Sequence, residues 1–198
     1  MRSKAKWICC MVAMLGLVAA ANSQAALVLD DMEDISGWTT TNCTKSLSTE
    51  CQEGSYSQML SFTTGGSGST TWRDTIKTFG VDLTAYDKIG FWFRSNKPEA
   101  IMFQFQNLDS PGVWSHFTQW ITYLTPDTWH WLEFDMSGTN RNWVEHIKFA
   151  FQDDWHPNSV NPDTAYELSF DDLQAIPEPA TLALLTLGLP LALRRRRS

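Results

Sequence analysis

The sequence of 198 residues predicts an all-β fold, an antiparallel β-sandwich of the jelly-roll type. Three observations predict it. Apolar residues recur at every second position, no segment of helix length carries them at helical spacing, and turn-forming residues interrupt the chain at short intervals. Phe91 and Phe93, for example, alternate with Trp92 and Arg94, as expected of a strand with one buried face. Eight or more short antiparallel strands of this kind are typical of a sandwich or jelly roll.

The expected strands follow one another along the chain and are separated by turn sequences. We expect them near 27–32, 58–63, 71–79, 89–94, 101–106, 114–122, 131–136, 146–151 and 166–170. Residues that favour turns, such as Gly, Pro, Asn, Asp and Ser, fill the breaks at 64–69, 96–98, 109–112, 125–127 and 156–158. No internal repeat is visible, so we expect one domain over residues 26–175.

Charge is distributed unevenly along the chain. The whole sequence has 15 basic and 22 acidic residues, a net charge of −7, whereas residues 26–175 have 8 basic and 21 acidic residues, a net charge of −13. Such an acidic region repels phosphate backbones, so no nucleic acid is expected as a partner. An aromatic content of 13%, with nine of the ten tryptophans in the same region, excludes a disordered chain.

The first 25 residues have the parts of a secretory signal peptide. A basic start precedes an apolar run over 7–21, and small residues at Ser23 and Ala25 suit cleavage after Ala25. An uncleaved membrane anchor is the alternative, although the run is short for a membrane span. We therefore expect the mature chain to be exported.

Removal of the signal peptide would leave two cysteines, Cys43 and Cys51, in the mature chain. In an oxidising compartment we expect the two to pair in a disulfide bond. Free thiols and a partial metal site are the alternatives.

The C-terminal segment, residues 176–198, also has distinct parts. Pro177, Glu178 and Pro179 form a stiff turn, an apolar run over 180–193 predicts a short helix, and four arginines follow at 194–197. A helix of that length reaches roughly 21 Å, short of the ~30 Å hydrocarbon core of a bilayer, so we expect a marginal membrane span.

This segment resembles the PEP-CTERM sorting signal of proteins exported by Gram-negative bacteria. The matching parts are Pro177-Glu178-Pro179, the Leu-rich run and the arginine cluster, and Ile176 stands where the family most often has Val. The resemblance implies recognition by an exosortase, a membrane transpeptidase, with processing near the Pro-Glu-Pro motif. It also implies a chain that is anchored in the inner membrane by its C-terminal helix or released to the cell surface, in association with exopolysaccharide and biofilm.

Blocks across residues 27–175 resemble the jelly-roll carbohydrate-binding modules and the broader galactose-binding-like sandwiches. They include an acidic opening strand at 30–34 followed by Gly37-Trp38, a strand at 89–94, a strand at 132–136 and a closing strand at 166–173. The resemblance implies the same β-sandwich architecture and polysaccharide as the partner.

In the modules that the sequence resembles, the first and last strands lie close together and hold a structural calcium ion. For this chain the resemblance implies Glu33 and Asp171 as side-chain ligands, with Asp31 and Asp172 next. Calcium takes six to eight oxygen ligands, so backbone carbonyl groups would supply the remainder. The alternative is a solvated acidic edge that discourages pairing between strands of different molecules.

The solvent-facing positions of the central strands supply candidate glycan contacts. Trp92, Arg94, Gln104 and Gln106 alternate with phenylalanines that are expected to point inward, so we expect these four to share one surface. Flat indoles contact the apolar faces of sugar rings, and amide, guanidinium and imidazole groups bond their hydroxyls. The alternative is that several of these tryptophans pack in the core. The candidate ligand-binding residues are Trp92, Arg94, Gln104, Gln106, Trp114, His116 and Trp120.

One pair of carboxylates, Glu133 and Asp135, lies two positions apart on a strand and is a candidate for glycosidic acid–base chemistry. Such pairs in an acidic protein are more often simply exposed. No metal-binding histidine spacing, nucleophile elbow or phosphate-binding loop occurs in the sequence. The sequence therefore predicts an exported, non-catalytic polysaccharide-binding protein, with a structural matrix or surface protein and a jelly-roll glycan lyase or hydrolase as the alternatives.

Overall fold

Eleven strands and no helix make up the described part of the chain. The computed structural model describes residues 25–65, 71–98, 101–110, 113–121, 124–152 and 164–177, and at 101–103, 105–110, 113–116 and 152 it describes the backbone alone. All these strands belong to one compact unit, Leu27–Ile176. The strands are β1 (Leu27–Asp30), β2 (Trp38–Thr41), β3 (Thr44–Ser48), β4 (Ser57–Thr63), β5 (Trp72–Val81), β6 (Lys88–Ser95), β7 (Ile101–Ser110), β8 (Val113–Ile121), β9 (His130–Asp135), β10 (Val144–Gln152) and β11 (Ala165–Ile176).

The strands form two antiparallel sheets. Six strands make one sheet in the order β3-β4-β11-β6-β9, with β1 beside β11, and five make the other in the order β2-β5-β10-β7-β8. From β4 onward the chain crosses repeatedly between the two sheets, so β6 and β7 are neighbours in sequence but lie in different sheets. This crossing decides which side chains share a surface.

The core lies between the two sheets, where the alternating apolar residues meet. The ring centroid of Phe149, in the five-stranded sheet, lies 4.0 Å from that of Phe170 and 5.0 Å from that of Phe91, both in the six-stranded sheet. Trp38 is fully buried, and its indole Nε1 donates a hydrogen bond to Asp30 Oδ2 over 2.8 Å. Burial of large aromatic side chains is the main stabilising contribution to such a fold.

Strand β11 is the longest strand and pairs with β4 over its first half and with β1 over its second half. Its register with β6 shifts between Asp171 and Gln174, and Asp172 has a φ of 48°. Such a bulge changes the direction in which the side chains around it point. It brings two successive carboxylates into the region next to the loop between β3 and β4.

The prediction of an all-β antiparallel sandwich is confirmed. The sequence prediction omits two short strands, β2 and β3, because their threonines and serines give little alternation of apolar and polar residues. β2 forms because it pairs with β5 over its whole length and contributes the buried Trp38 to the core.

Most of the two terminal segments lies outside the described residues. This holds for the predicted signal peptide at 1–25, apart from Ala25, and for the C-terminal segment beyond Pro177, which includes Glu178 and Pro179 of the sorting motif. In the part of the chain that the structure describes, no helix is long and apolar enough to cross a membrane. Cleavage, sorting and anchoring therefore stay predictions.

Candidate functional site

The outer surface of the five-stranded sheet is the side that faces away from the core. On β10, Phe149 is fully buried, whereas its neighbour Lys148 points outward and is half-buried. The register places Ile76 of β5 and Gln104 of β7 on the two sides of Lys148, with Thr118 of β8 beyond Gln104. We call this surface the polar face. Its described side chains are Thr39, Trp72, Asp74, Ile76, Thr78, Gln104, Thr118, Trp120, His146 and Lys148.

Two neighbours on the polar face hold Trp72 in place. Its indole Nε1 donates a hydrogen bond to Asp74 Oδ2 over 2.6 Å. Lys148 Nζ lies 5.1 Å from the centroid of the Trp72 ring, which is a cation–π contact. Burial lowers the pKa of Lys148, and the negative charge of Asp74 opposes that shift. The indole therefore has a fixed orientation next to an ammonium group that is partly removed from water.

Two further pairs of side chains are fixed on the polar face by hydrogen-bond contacts. Gln104 is 9% exposed, and its Nε2 donates to Thr118 Oγ1 over 3.1 Å. Thr78 Oγ1 and His146 Nδ1 lie 3.0 Å apart, within hydrogen-bond distance. Because these groups are already ordered, a sugar that bonds to them does not have to immobilise them first.

Two of the predicted ligand-binding residues, Gln104 and Trp120, have described side chains on the polar face, and Trp120 is 41% exposed. The backbone register places Gln106 of β7 opposite His116 of β8, and Trp114 also lies on β8. The side chains of Gln106, Trp114 and His116 lie outside the description. Binding of a ligand by these residues stays a prediction.

Sequence reasoning misses the residues that β5 and β10 contribute to the polar face, above all Trp72 and Lys148. The alternation of apolar and polar residues on β5 is weak because two buried polar residues, Arg73 and Thr75, occupy its inward positions. Arg73 stays inside because its guanidinium donates a hydrogen bond to the carbonyl oxygen of Thr63 over 2.8 Å. On β10 the alternation is plain, but only the sheet order shows that β10 lies between β5 and β7.

Trp92 and Arg94 lie on the other outer surface, that of the six-stranded sheet. The prediction that they share a surface with Gln104 and Gln106 is wrong, because β6 and β7 belong to different sheets. Trp92 packs edge-to-face on Trp131, with ring centroids 5.4 Å apart. We call this surface the paired face, defined by Lys88, Gly90, Trp92, Arg94, Trp131 and Glu133.

Arg94 is held on the paired face by two carboxylates from loops. Its Nη1 lies 2.5 Å from Glu50 Oε2, and its Nη2 lies 3.3 Å from Asp127 Oδ1. These two ion pairs bind the guanidinium to loops on either side of β6. A sugar ligand at Arg94 would therefore have to compete with two acidic side chains.

The candidate catalytic carboxylates are stabilised in their charged forms. Lys88 Nζ donates to Glu133 Oε2 over 2.7 Å, and this hydrogen bond, together with one from Trp131, lowers the pKa of Glu133. Hydrogen bonds from Ser137 lower the pKa of Asp135. A general acid at neutral pH needs a raised pKa, so these shifts are opposite to those that acid catalysis requires.

Two of the predicted calcium ligands, Glu33 and Asp171, bind the same loop between β3 and β4. Glu33 Oε1 accepts hydrogen bonds from the backbone N–H groups of Ser55, over 2.6 Å, and Tyr56, over 3.0 Å. Gly54 allows this close approach: a Cβ atom there would lie 2.0 Å from Glu33 Oε1, and its φ of +63° favours glycine. The segment that follows β1 and this loop are therefore joined by the carboxylate of Glu33.

Asp171 has one oxygen that is satisfied and one that is not. The side chain is fully buried, and its Oδ2 accepts from the backbone N–H groups of Gln52, over 2.7 Å, and Glu53, over 3.0 Å. Its Oδ1 is buried and has no hydrogen-bond partner within the part of the chain that the structure describes. Burial raises the pKa of Asp171, because it penalises the charged form more than the two hydrogen bonds favour it.

The two remaining predicted ligands, Asp31 and Asp172, lie near enough to affect each other. The pKa of Asp172 is raised by burial first and then by the negative charges of Glu53 and Asp31. Within the described ranges, however, no three His, Cys, Asp or Glu side chains converge closely enough to hold a metal ion. A calcium ion here would need backbone carbonyl oxygens in its coordination shell, as the sequence analysis expects.

The predicted disulfide between Cys43 and Cys51 is wrong, because both thiols are free. Cys43 Sγ donates to the carbonyl oxygen of Asp74 over 3.3 Å, and burial raises the pKa of this thiol. The five-residue strand β3 separates the two cysteines. An extended strand of that length spans roughly 17 Å, whereas bonded cysteines have Cα atoms about 4–7 Å apart.

Comparison with known proteins identifies the fold. The sequence matches no protein-family profile, and no curated protein is significantly similar to it. The chain superposes on a family 11 carbohydrate-binding module from Clostridium thermocellum, in complex with a β-1,3-1,4-mixed-linked tetrasaccharide, with a TM-score of 0.61. The two are 17% identical, and the superposition covers 78% of this chain and 98% of the module.

Two further structures from Clostridium thermocellum are similar. The family 11 module of a cellulosomal cellulase superposes with a TM-score of 0.59 and 18% identity, over 79% of this chain and 96% of that one. An endo-1,4-β-D-xylanase 10B structure complexed with xylohexaose superposes with a TM-score of 0.54 and 15% identity, over 79% of this chain and 29% of that one. The chain therefore has the β-sandwich fold of carbohydrate-binding modules.

Proposed function

We propose that this chain is a non-catalytic protein that binds polysaccharide on its polar face. The observation that carries the proposal is the arrangement on that face of an ordered indole, Trp72, an exposed indole, Trp120, and fixed amide, hydroxyl and ammonium groups. Sugar rings present apolar C–H surfaces and hydroxyl groups. The indoles can contact the C–H surfaces, and the amide, hydroxyl and ammonium groups can form hydrogen bonds with the hydroxyl groups. The likeness in fold to carbohydrate-binding modules supports the same function.

Affinity electrophoresis of the full-length chain through gels that contain single polysaccharides tests this proposal. We expect at least one polysaccharide to retard the wild-type chain, and Trp72→Ala or Trp120→Ala to weaken that binding by about tenfold or more, as truncation of an anchoring aromatic residue does. Trp92→Ala on the paired face is the matched control and is expected to bind like wild type. All variants are checked by thermal melting.

Three results would contradict the proposal. Failure of every polysaccharide to retard the wild-type chain would leave a structural matrix or surface protein as the better description. Loss of binding in Trp92→Ala but not in Trp72→Ala would move the site to the paired face. Release of sugar products from any polysaccharide would overturn the non-catalytic assignment, which is supported by the lowered pKa values of Glu133 and Asp135.

The proposal includes export and sorting through the terminal segments. The signal peptide at 1–25 would direct export, and the segment 176–198 would be recognised by an exosortase, which would leave the chain in the cell envelope or the extracellular matrix. The position of the Pro-Glu-Pro motif supports this, because Pro177 directly follows the last residue of β11. Replacing Pro177, Glu178 and Pro179 with alanine is expected to abolish C-terminal processing, seen as a longer chain by gel electrophoresis of cell fractions. Equal processing of both forms would contradict it.

Calcium is part of the proposal as a structural ion next to Asp171. The buried Oδ1 of Asp171 supports this, since a cation would satisfy an oxygen that otherwise costs stability. Asp171 would be the first ligand, Glu33, Asp31 and Asp172 would be the other candidate carboxylates, and backbone carbonyl oxygens would complete the coordination. When bound, calcium would neutralise neighbouring carboxylates that repel one another. Thermal melting with added calcium or with EDTA tests this: we expect calcium to raise the melting temperature and Asp171→Asn to abolish the increase, and identical curves would remove calcium from the proposal.

A further inference from the structure

The basic residues on the strands are almost all bound to oxygen atoms. Lys77 Nζ lies 2.5 Å from Asp30 Oδ2, and Lys45 donates to two backbone carbonyl oxygens. Lys148 differs: among the residues that the structure describes, it has no carboxylate or carbonyl hydrogen-bond partner, and its ammonium group contacts the Trp72 ring. The strand cations that do have oxygen partners are Lys45, Arg73, Lys77, Lys88 and Arg94.

Lys148 stands on β10, the central strand of the five-stranded sheet, and therefore in the middle of the polar face. Asp74, on the neighbouring strand β5, attracts its charge but forms no ion pair with it, and Asp74 Oδ2 already accepts the hydrogen bond from Trp72. The ammonium group is thus half-buried next to an indole, with N–H donors available for a ligand.

Burial removes water from the ammonium group of Lys148, and no oxygen atom of the described residues replaces that water, which costs stability. No other cation on a described strand is in that state. An anionic group on a ligand would restore the missing interaction by a charge-assisted hydrogen bond. The net negative charge of the protein repels such a ligand at long range, but salt at about 0.15 M screens that repulsion beyond roughly 8 Å and leaves a direct contact intact.

We propose that the polysaccharide bound on the polar face is anionic, with an acidic group that contacts Lys148 while the sugar ring lies along Trp72. This inference depends on the proposed function and specifies its ligand. A uronate carboxylate and a sulfate ester share the required chemistry. The other charged or titratable side chains described on this face, Asp74 and His146, lie on β5 and β10, and His146 is within hydrogen-bond distance of Thr78.

The experiment compares each acidic polysaccharide with its uncharged counterpart. Polygalacturonate and alginate are tested against their carboxyl-reduced forms, and dextran sulfate against dextran, with the full-length chain at about 0.15 M salt. We expect one charged form to bind about tenfold more tightly than its counterpart, as one charge-assisted hydrogen bond would give. The carboxylate and sulfate pairs distinguish the two sources of charge.

Variants assign the effect to one residue. Lys148→Met is expected to lower the affinity for the charged form to that for the uncharged form, and Lys148→Arg to retain most of the difference. Lys88→Met removes the same charge from the paired face and is the matched control, with no expected effect on binding. Because Lys148 forms no ion pair with any described carboxylate, Lys148→Met is expected to melt at or above the wild-type temperature.

The outcomes separate this inference from the proposed function. Binding of uncharged polysaccharides alone, or equal binding of both forms, overturns the inference and leaves polysaccharide binding in place. Equal loss of binding in Lys148→Met and Lys88→Met overturns it as well, since the effect would then be one of overall charge. If Lys148→Met does not fold, retention of the preference in Lys148→Gln would overturn it. Failure of all polysaccharides to bind removes the proposed function and the inference together.

Discussion

On the paired face, Lys88 contacts Glu133 and Arg94 contacts Glu50 and Asp127, whereas on the polar face Lys148 contacts the ring of Trp72 and no described carboxylate. The tryptophans differ in the same way. Those of the paired face pack on each other, whereas Trp72 of the polar face donates a hydrogen bond to Asp74 and contacts the ammonium group of Lys148. Two surfaces built from the same kinds of residue thus have different capacities for a ligand.

The difference teaches that composition alone does not define a binding surface. An arginine is available to a sugar only if its neighbours leave its guanidinium donors unoccupied. Interactions on the paired face connect the six-stranded sheet to its loops, and this stabilises the fold. The polar face has internal contacts that orient side chains, but among its described residues no carboxylate forms an ion pair with the ammonium group of Lys148.

Among substitutions that test the difference between the two faces, we expect the largest loss of stability at Gly90, on the paired face. A Cβ atom there would lie 2.6 Å from Trp131 Cζ2 and 2.8 Å from Ile176 Cδ1. Gly90→Ala must therefore displace the Trp131 ring, which is held by Glu133, and we expect it to lower the free energy of unfolding by about 1–3 kcal/mol in urea titrations.

Gly138→Ala is the control for that substitution, because a Cβ atom at Gly138 meets nothing within 4 Å. We expect it to leave the urea midpoint unchanged. Polysaccharide binding on the polar face should be unaffected by either change. An unchanged midpoint in Gly90→Ala would show that the indoles of the paired face are not closely packed.

A smaller effect is expected from Asp171. This residue lies on the outward side of the six-stranded sheet and is covered by the loop between β3 and β4. Its folded-state pKa is raised by burial, so the folded state binds this proton more tightly than the unfolded state does. The stability due to this proton is full below the unfolded pKa and is lost as pH rises through the folded pKa. In EDTA, we therefore expect Asp171→Asn to gain melting temperature relative to wild type as pH rises from about 4 to about 7.

The melting curves of wild type and variant are compared at each pH, so that the contributions of the other carboxylates to the melting temperature cancel. Asn keeps an oxygen that can accept the hydrogen bonds from Gln52 and Glu53. A difference in melting temperature that stays constant across this range would contradict the predicted role of burial at Asp171. Added calcium is expected to reduce the pH dependence of the wild-type chain.

The smallest effect is expected from Arg94→Met on the paired face. Its two partners, Glu50 and Asp127, have side chains that are 64% and 63% exposed, and ion pairs of this kind contribute about 0–1 kcal/mol. We expect a minor decrease in the urea midpoint and no change in polysaccharide affinity. A large loss of affinity would restore the sequence-based prediction that Arg94 contacts the glycan.

Much of the fold could be predicted from local pattern. The alternation around Phe91 and Phe149 placed these residues in the core, and both are fully buried. Gln104 and Trp120 were expected at outward strand positions, where the structure has them. Trp72 could not be recognised in this way, because its strand buries Arg73, a residue that sequence reasoning expects at the surface.

The sequence by itself determined the excess of acidic residues and predicted nine of the eleven strands, because charge and alternation are properties of the chain read locally. Tertiary structure decided which sheet each strand joined. That choice separated Trp92 and Arg94 from Gln104 and brought Lys148 next to Trp72. Pairing between distant strands depends on the burial of the whole core, and no short window of sequence contains that information.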